Sequence, residues 1–226
     1  MFCRNLLLIV VCLMAGSLSN AQPGNNYRLS WWPAYYARVP LNERWTLNAD
    51  LQARNFAKEP LLGLIAFRTG FHYRLKNDWL IGMGVAWFHQ QLVKESRERL
   101  STDELRAWQE IRNEKRLKKW MLVNQFRTEQ RHWVNQNGIA HRFRYRLAAE
   151  LSCNKKWKLL FGNEIMWQGS KTRNNWDQYR LWAGTEYDGM KNSAVQLNLM
   201  NWWQFNSHIY QPVIRINFVQ SFNMTR

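Results

Sequence analysis

The sequence lacks the long apolar segments from which helical membrane proteins are built. Beyond residue 21 the uncharged stretch best suited to a membrane helix is Trp79–Val93, which includes His89 and two glutamines. A membrane-spanning helix needs about 20 mostly apolar residues. The mean hydropathy of the chain is also low, at −0.54. These properties exclude a helical membrane bundle.

Familiar catalytic and ligand-binding motifs are missing as well. The sequence contains no G-x-S-x-G, P-loop or G-x-G-x-x-G motif, and no histidine stands at metal-ligand spacing from a cysteine or another histidine. Ser207 and His208 are adjacent, so on a strand they would point to opposite faces and could not act together. Another serine, such as Ser96 or Ser170, could meet a histidine only through the fold. We therefore expect no cofactor and no metal, and the sequence favours a non-enzymatic role.

Aromatic residues, by contrast, are abundant. The 226 residues include 14 tryptophans, 8 tyrosines and 11 phenylalanines. Disordered chains are poor in aromatic residues, so this composition excludes a disordered protein. The length suits one substantial domain, and no linker or change of composition divides it.

The first 21 residues have the pattern of a secretory signal peptide. Arg4 precedes the apolar run Leu6–Leu18, and the small residues Ser19 and Ala21 fit a cleavage site before Gln22. We predict that residues 1–21 are cleaved and that residues 22–226 form the exported domain.

Cleavage would remove two of the three cysteines, Cys3 and Cys12, and leave only Cys153. The mature chain is then expected to have no internal disulfide bond. Packing or backbone pairing would have to supply its stability.

The remaining chain shows apolar residues at a period of two, which is typical of β-strands with one apolar face. In the clearest segment Phe143, Tyr145 and Leu147 alternate with Arg144 and Arg146. Eleven candidate strands begin near residues 27, 44, 64, 79, 104, 120, 140, 157, 176, 193 and 208. Several run to about 10–13 residues, which is longer than the roughly 5–6 residues of globular strands. A tilted membrane-spanning strand needs about 9–11 residues.

Many tryptophans fall near the ends of these strands, where membrane barrels carry aromatic girdles. The alternative is a soluble β-sandwich with a tryptophan-rich core, which the strand length and the signal peptide disfavour. In lipid only a closed sheet satisfies every backbone group. We therefore predict an all-β fold, a single antiparallel transmembrane β-barrel of 10–12 strands. Because single-chain bacterial barrels usually have an even number of strands, 10 or 12 is expected rather than eleven.

The lengths of the connections leave the topology open. Short connections lie near residues 39–43, 76–78, 115–119, 135–138, 153–155 and 188–191, and longer ones at 56–62, 92–102 and 169–175. Short turns belong on the periplasmic side of an outer-membrane barrel. The first strand would then begin outside, which conflicts with a periplasmic N-terminus.

With the apolar faces outward, a set of arginines and glutamates falls inside the barrel. Arginine dominates the set, as suits bidentate pairing with carboxylates, and neighbouring strands could pair their charges across the ladder. The predicted lumen ionic cluster consists of Arg106, Glu110, Arg112, Arg127, Glu129, Arg131, Arg144, Arg146, Glu164, Arg180 and Glu186.

This cluster has three interpretations. It could fill and rigidify a narrow lumen, or its excess of arginine could form an anion-attracting pore or a site for an acidic solute. It could also serve catalysis, in which case the protein would be a barrel-embedded lipid-modifying enzyme of the hydrolase or acyltransferase type. Such an interior is more readily plugged by its own side chains than freely conducting. Gly82 and Gly84 are expected to make room for an inward arginine.

The formal charge of +16 raises the question of nucleic acid. The cations alternate with apolar residues instead of forming one patch, and the chain is predicted to be exported. We therefore expect no nucleic-acid partner. Lysines and arginines in the turns are expected to meet the anionic lipids of the outer membrane, and the barrel is expected to be a monomer.

Several short stretches resemble a known family. They are Glu104–Gln109, Arg127–Arg131, Arg144–Arg146, Glu164 and Gln178–Leu181, together with the opening pair Trp31–Val39 and Trp45–Arg54. In these the chain resembles the family of domain of unknown function 2490 (DUF2490), predicted outer-membrane β-barrels of Gram-negative bacteria. The resemblance implies a barrel and an outer-membrane location, and no activity. The chain departs from the usual aromatic C-terminus of such barrels, since four residues follow Phe222.

Overall fold

The structure is a computed structural model that describes residues 29–55, 62–93, 99–135, 138–170, 174–207 and 209–223. The predicted signal peptide, Ser96 and His208 lie outside these residues. No helix of the described ranges is long and apolar enough to cross a membrane. The strands are β1 (Ser30–Pro40), β2 (Trp45–Asn55), β3 (Leu62–Arg74), β4 (Trp79–Val93), β5 (Arg99–Leu117), β6 (Trp120–Trp133), β7 (Ala140–Ser152), β8 (Trp157–Gly169), β9 (Asn174–Met190), β10 (Ser193–Gln204) and β11 (Ile209–Ser221).

These eleven strands form one closed barrel. Each strand pairs antiparallel with the next one in the sequence, whereas β1 and β11 pair in parallel, from Ser30 opposite Val213 to Arg38 opposite Ser221. With an odd number of strands the first and last run in the same direction, so the closure has to be parallel. The predicted all-β barrel is confirmed. The expected even number is wrong, because a parallel ladder also satisfies the backbone groups of both edges.

The connections at one end of the barrel are on average shorter than those at the other end. We call the end with connections 41–44, 75–78, 118–119, 153–156 and 191–192 the turn end. The loop end carries connections 56–61, 94–98, 134–139, 170–173 and 205–208. The sequence pattern groups the connection at 135–138 with the short turns. In the structure it joins β6 to β7 at the loop end. Strand β1 begins at the loop end and β11 finishes at the turn end, so the conflict over the first strand arises from the odd strand number.

Alternation along each strand separates an apolar outer wall from a polar interior. Met83 and Val85 on the outer wall are 64% and 58% exposed, which in water would be unfavourable for so many neighbouring apolar side chains. Exposed tryptophans mark both margins of this wall. At the turn end they open four strands, as Trp45, Trp79, Trp120 and Trp157, and at the loop end they are Trp31, Trp87 and Trp176.

Two tryptophans inside the barrel lie flat against glycines. A Cβ added to Gly84 would be 2.5 Å from the Trp108 ring, and one added to Gly162 would be 2.3 Å from the Trp182 ring. The space beside Gly82 is taken by the ring of His72, at 2.6 Å from such a Cβ. The room at Gly82 and Gly84 therefore accommodates aromatic rings and not the arginine that was predicted there.

Cys153 lies in the turn between β7 and β8. The expectation of no internal disulfide bond concerned the chain without residues 1–21. It stays a prediction for that mature form.

Candidate functional site

The barrel encloses a cavity of about 1430 Å³ that all eleven strands line. Strands β5 to β9 contribute most of its ionic side chains, whereas Asn48, Gln52, Gln196, Gln211 and Asn217 give the opposite wall its amides. The cationic lining consists of Arg38, Arg54, Arg68, Arg106, Arg112, Arg127, Arg131, Arg142, Arg144, Arg146, Arg180 and Arg215. The carboxylates that line the cavity are Asp50, Glu104, Glu110, Glu150, Glu164 and Asp177.

A continuous ionic network crosses strands β5 to β9. At its centre Glu129, whose side chain is 4% exposed, accepts from Arg144 at 2.5 Å and from Arg106 at 3.2 Å. Arg144 also donates to Glu164 at 2.7 Å. Arg180 lies 3.4 Å from the other oxygen of Glu164. Charge-assisted contacts of this kind are shorter and stronger than neutral hydrogen bonds.

The network continues toward the loop end through Glu104. This carboxylate accepts from Arg106 Nε at 2.6 Å and from Arg131 Nη2 at 2.9 Å. Arg131 also donates to Gln168. Six residues of the predicted lumen cluster therefore lie in one network, which are Arg106, Glu129, Arg131, Arg144, Glu164 and Arg180.

A separate group surrounds Glu110, whose carboxylate is almost fully buried. It accepts from Arg127 Nε at 2.7 Å, Gln125 Nε2 at 2.5 Å and His72 Nε2 at 2.7 Å. The other ring nitrogen of His72 is 2.5 Å from the Asn48 amide. Four polar side chains thus hold one charge in place, which makes this part of the lumen rigid.

Strand register explains why the carboxylates bridge diagonally. Arg106 stands directly opposite Arg131, and Arg127 directly opposite Arg144. Like charges in these positions would repel, so each pair needs a carboxylate from a neighbouring rung. Glu104 supplies one for the first pair, and the second pair is held by Glu110 on one side and by Glu129 and Glu164 on the other.

Three residues of the predicted cluster lie apart from these groups. Arg112 pairs with Glu114 at 2.5 Å, and Glu186 accepts from Lys158 at 2.5 Å, both toward the turn end. Arg146 has its guanidinium 5.0 Å from the Trp182 ring. Among the described residues no carboxylate comes within salt-bridge distance of Arg146.

The predicted cluster omitted several members of the site. Glu104 lies two residues before Arg106 and points to the same side of β5, so the alternating pattern itself could have indicated it, as it indicates that Arg142 points inward. Asp177, which binds Arg142 at 2.7 Å, could not be found in this way. A register shift in the β8–β9 ladder beside Trp167 places Asp177 out of step with the alternation.

Three further lumen cations, Arg38, Arg54 and Arg215, have no carboxylate within 4.0 Å in the part of the chain that the structure describes. Arg54 donates to the Gln52 amide oxygen at 2.8 Å and lies over the Trp32 ring at 4.4 Å. With Arg146 they make four arginines without a carboxylate partner among the described residues, in a lumen that has more arginines than acids. A buried charge without a partner is costly, and these arginines leave an excess of positive charge along the lumen.

The outer wall carries one ionisable pair, near the loop end. His89 Nδ1 lies 3.0 Å from Asp103 Oδ1, and the Trp87 indole donates to the same oxygen at 3.1 Å. Ser101 stands two residues before Asp103 on β5 and is opposite Gln91. No hydrogen bond joins Ser101 to His89 within the described ranges.

No group of three or more His, Cys, Asp or Glu side chains in the described residues could hold a metal ion. The ionic side chains of the lumen are instead paired arginines and carboxylates. Their contacts with one another are those of structural ion pairing.

Comparison with solved structures finds barrels of bacterial outer membranes. OmpT of Vibrio cholerae, folded in vitro, has 12% sequence identity and a TM-score of 0.46, and the match covers 73% of this chain and 52% of OmpT. A loop L8 deletion mutant of OmpT gives 12% identity and a TM-score of 0.46 over 72% and 55% of the two chains. The trimer form of OmpT gives 11% and 0.43 over 74% and 59%. The matched part therefore spans little more than half the length of these proteins.

No curated protein matches the sequence. One family model does, and it covers residues 29–211, from the residue before β1 to the start of β11. This range includes the whole ionic network and most of the barrel. The chain therefore belongs to the family described as protein of unknown function (DUF2490).

Proposed function

We propose that this protein is exported to the outer membrane of a Gram-negative bacterium, where its barrel forms a narrow passage that attracts anions. The outer wall supports the location, because exposed apolar side chains between two rows of tryptophan match a surface that faces lipid. In this proposal the barrel works as a monomer, and outer-membrane lipids surround it.

The unpaired arginines in the middle of the lumen carry the proposal. Arg146 is the seventh of the thirteen residues of β7, and Arg215 the seventh of the thirteen of β11. Both line the cavity, and Arg215 acts on Arg146 electrostatically as a like-charged neighbour. A passage that crosses the barrel must pass these two positive charges halfway along.

The distribution of side chains supports a passage on one side of the lumen. The network of β5 to β9 fills that side with paired charges, which hold one another in fixed positions. The facing wall offers the hydrogen bonds of its amides together with the positive charges of Arg54 and Arg215. An anion can therefore move along the amides while the unpaired arginines attract it, and a cation meets a net positive lumen.

Ion selectivity in a planar bilayer tests this proposal. Under a potassium chloride gradient we expect a small conductance. Its reversal potential should be shifted from zero toward the equilibrium potential of chloride. A charge at about 5 Å in water contributes about 0.8 kcal/mol, or about a fourfold change in local anion concentration. The double variant R146Q/R215Q should therefore lose several-fold of its anion preference.

The double variant K155Q/K156Q is the matched control. It removes two positive charges from the exposed β7–β8 turn, outside the lumen, and should keep most of the selectivity. A barrel without conductance would contradict the proposal and favour a purely structural lumen. Cation selectivity, or equal effects of the two double variants, would contradict it as well.

One observation favours a second candidate, the lipid-modifying enzyme. The His89–Asp103 pair lies on the outer wall, where a lipid could reach it, and its Nδ1 contact leaves Nε2 available as a base. Ser101 is the nearby hydroxyl on the same face of β5. Lipid hydrolysis that is lost in both H89A and S101A would establish this function, and hydrolysis that is unchanged in them would remove it.

A further inference from the structure

The indole of Trp32 lies inside the barrel with two guanidinium groups over it. The central carbon of Arg54 is 4.4 Å from its ring centroid, and that of Arg180 is 5.5 Å away. The Trp202 ring meets Trp32 edge-on at 5.1 Å. Two positive charges and two large rings are thus gathered in one small volume.

Three hydrogen-bond donors in this cluster have no acceptor in the described chain. They are the indole N–H of Trp32 and the Nε–H groups of Arg54 and Arg180, and all three atoms are buried. Buried donors are nearly always satisfied, because an unmade hydrogen bond keeps the full cost of desolvation. Three of them around a single ring therefore call for an explanation.

The acceptors nearby are already engaged. Gln178 Oε1 accepts from Arg180 Nη2 at 2.7 Å and from Trp202 Nε1 at 3.1 Å. Gln52 Oε1 accepts from Arg54 at 2.8 Å. Glu164 is the acid nearest to Arg180, at 3.4 Å, and its other oxygen accepts from Arg144. The cluster is therefore rich in donors and positive charge and poor in free acceptors.

The cluster lies at the loop end of the lumen. Trp32 is the third residue of β1, which begins there, and Arg54 is the next-to-last residue of β2, which ends there. Trp32, Arg54, Arg180 and Trp202 all line the cavity. A solute that enters from the loop end meets this cluster before it reaches Arg146.

We propose that the Trp32–Arg54–Arg180 cluster is a binding site for the oxyanion group, carboxylate or phosphate, of a small solute. An oxyanion only accepts hydrogen bonds, so it matches a set of donors without acceptors, and its charge compensates Arg54. The faces of Trp32 and Trp202 give the rest of the solute an apolar surface. This inference deepens the proposed passage and rests on it for the entry of the solute.

Calorimetric titration of the purified full-length barrel in detergent tests the site. The probes are inorganic phosphate and, separately, acetate, each at constant ionic strength with sodium chloride. We expect saturable binding of at least one probe, weakened at least tenfold in R54Q. W32F removes the indole donor but keeps an aromatic ring and both guanidinium groups, so it should weaken binding by a smaller factor.

R116Q is the control, because it makes the same substitution at an exposed position at the turn end of β5. Its affinity should stay within twofold of the wild-type value. Heat-dependent migration in SDS gels establishes that each variant still forms the barrel. Absence of saturable binding to both probes, or equal affinities of R54Q and wild type, would overturn the inference.

The titration and the bilayer measurement can fail separately. Binding that depends on Arg54 without any conductance would support the proposed binding site and contradict the proposed passage. Anion-selective conductance without saturable binding would support the proposed passage and contradict the proposed binding site. The two probes also tell whether the site prefers phosphate or carboxylate.

Discussion

Neutralising Glu129 should destabilise the barrel more than any other single loss of charge in the lumen. Its carboxylate lies within 4.0 Å of three arginines, Arg106, Arg142 and Arg144, and its side chain is 4% exposed. The variant E129Q keeps the size and shape of the side chain. It removes the negative charge and turns one acceptor oxygen into an amide donor, so the three guanidinium groups are left with fewer counter-charges and fewer acceptors.

The magnitude follows from what each arginine retains. Arg106 keeps Glu104, Arg144 keeps Glu164 and Arg142 keeps Asp177, so none loses its last partner. Removal of one partner of a buried ion pair costs about 3–5 kcal/mol. The remaining carboxylates and the neutral amide oxygen of glutamine offset part of this loss. We therefore expect a decrease of about 3 kcal/mol in the free energy of unfolding.

Equilibrium unfolding in urea, followed by tryptophan fluorescence in detergent micelles, measures this decrease. E114Q is the control, because Glu114 also pairs with an arginine, Arg112, at 2.5 Å, but the two side chains are 21% and 24% exposed. A partly exposed pair contributes about 1 kcal/mol or less. A decrease for E129Q no larger than that for E114Q would refute the idea that the network stabilises the barrel.

Two further predictions concern the wall itself. G84A should lower the free energy of unfolding by about 1–3 kcal/mol, because the new Cβ would lie 2.1 Å from the Thr69 carbonyl and 2.5 Å from the Trp108 ring. G189A is the control and should have little effect, since its Cβ would meet the movable Tyr187 ring. Equal losses of stability in the two variants would argue against this packing. The wild-type protein in SDS should migrate differently before and after boiling, since a closed sheet leaves no edge for the detergent to open; identical migration, with the protein in a soluble fraction, would contradict the membrane barrel.

The alternation of apolar and polar residues was enough to predict most of the barrel. Its strands begin within a few residues of the predicted positions, because a two-residue period fixes which side chains face the lipid and which the lumen. The long β5 is the exception, as it begins at Arg99 and not near residue 104. Its first residues do not show the pattern strongly enough to be recognised.

The closure of the barrel could not be predicted in this way. Periodicity describes each strand by itself. Closure depends instead on the pairing of β1 with β11, which lie near opposite ends of the sequence. The even-number rule summarises antiparallel closure in other barrels. It is not a requirement of hydrogen bonding, since a parallel ladder also pairs every backbone group.

The candidate site was predictable only in part, for a similar reason. The alternation along β7 shows that Arg144 points inward. Only the register between strands shows that Arg127 is opposite Arg144 and that Glu129 lies beside it. Asp177 shows the limit of parity, because the register shift that moves it leaves no mark in a single sequence.

One rung of the barrel explains why Arg146 has no carboxylate partner. The rung runs from Arg180 to Glu164, Arg146, Gln125 and Arg112, each directly opposite the next. A glutamate at position 125 would complete the alternation of charge, but the Gln125 amide donates to Glu110 at 2.5 Å. A carboxylate there would repel Glu110, whereas an amide stabilises it. The group that holds Glu110 therefore leaves a net positive charge at the midpoint of the lumen.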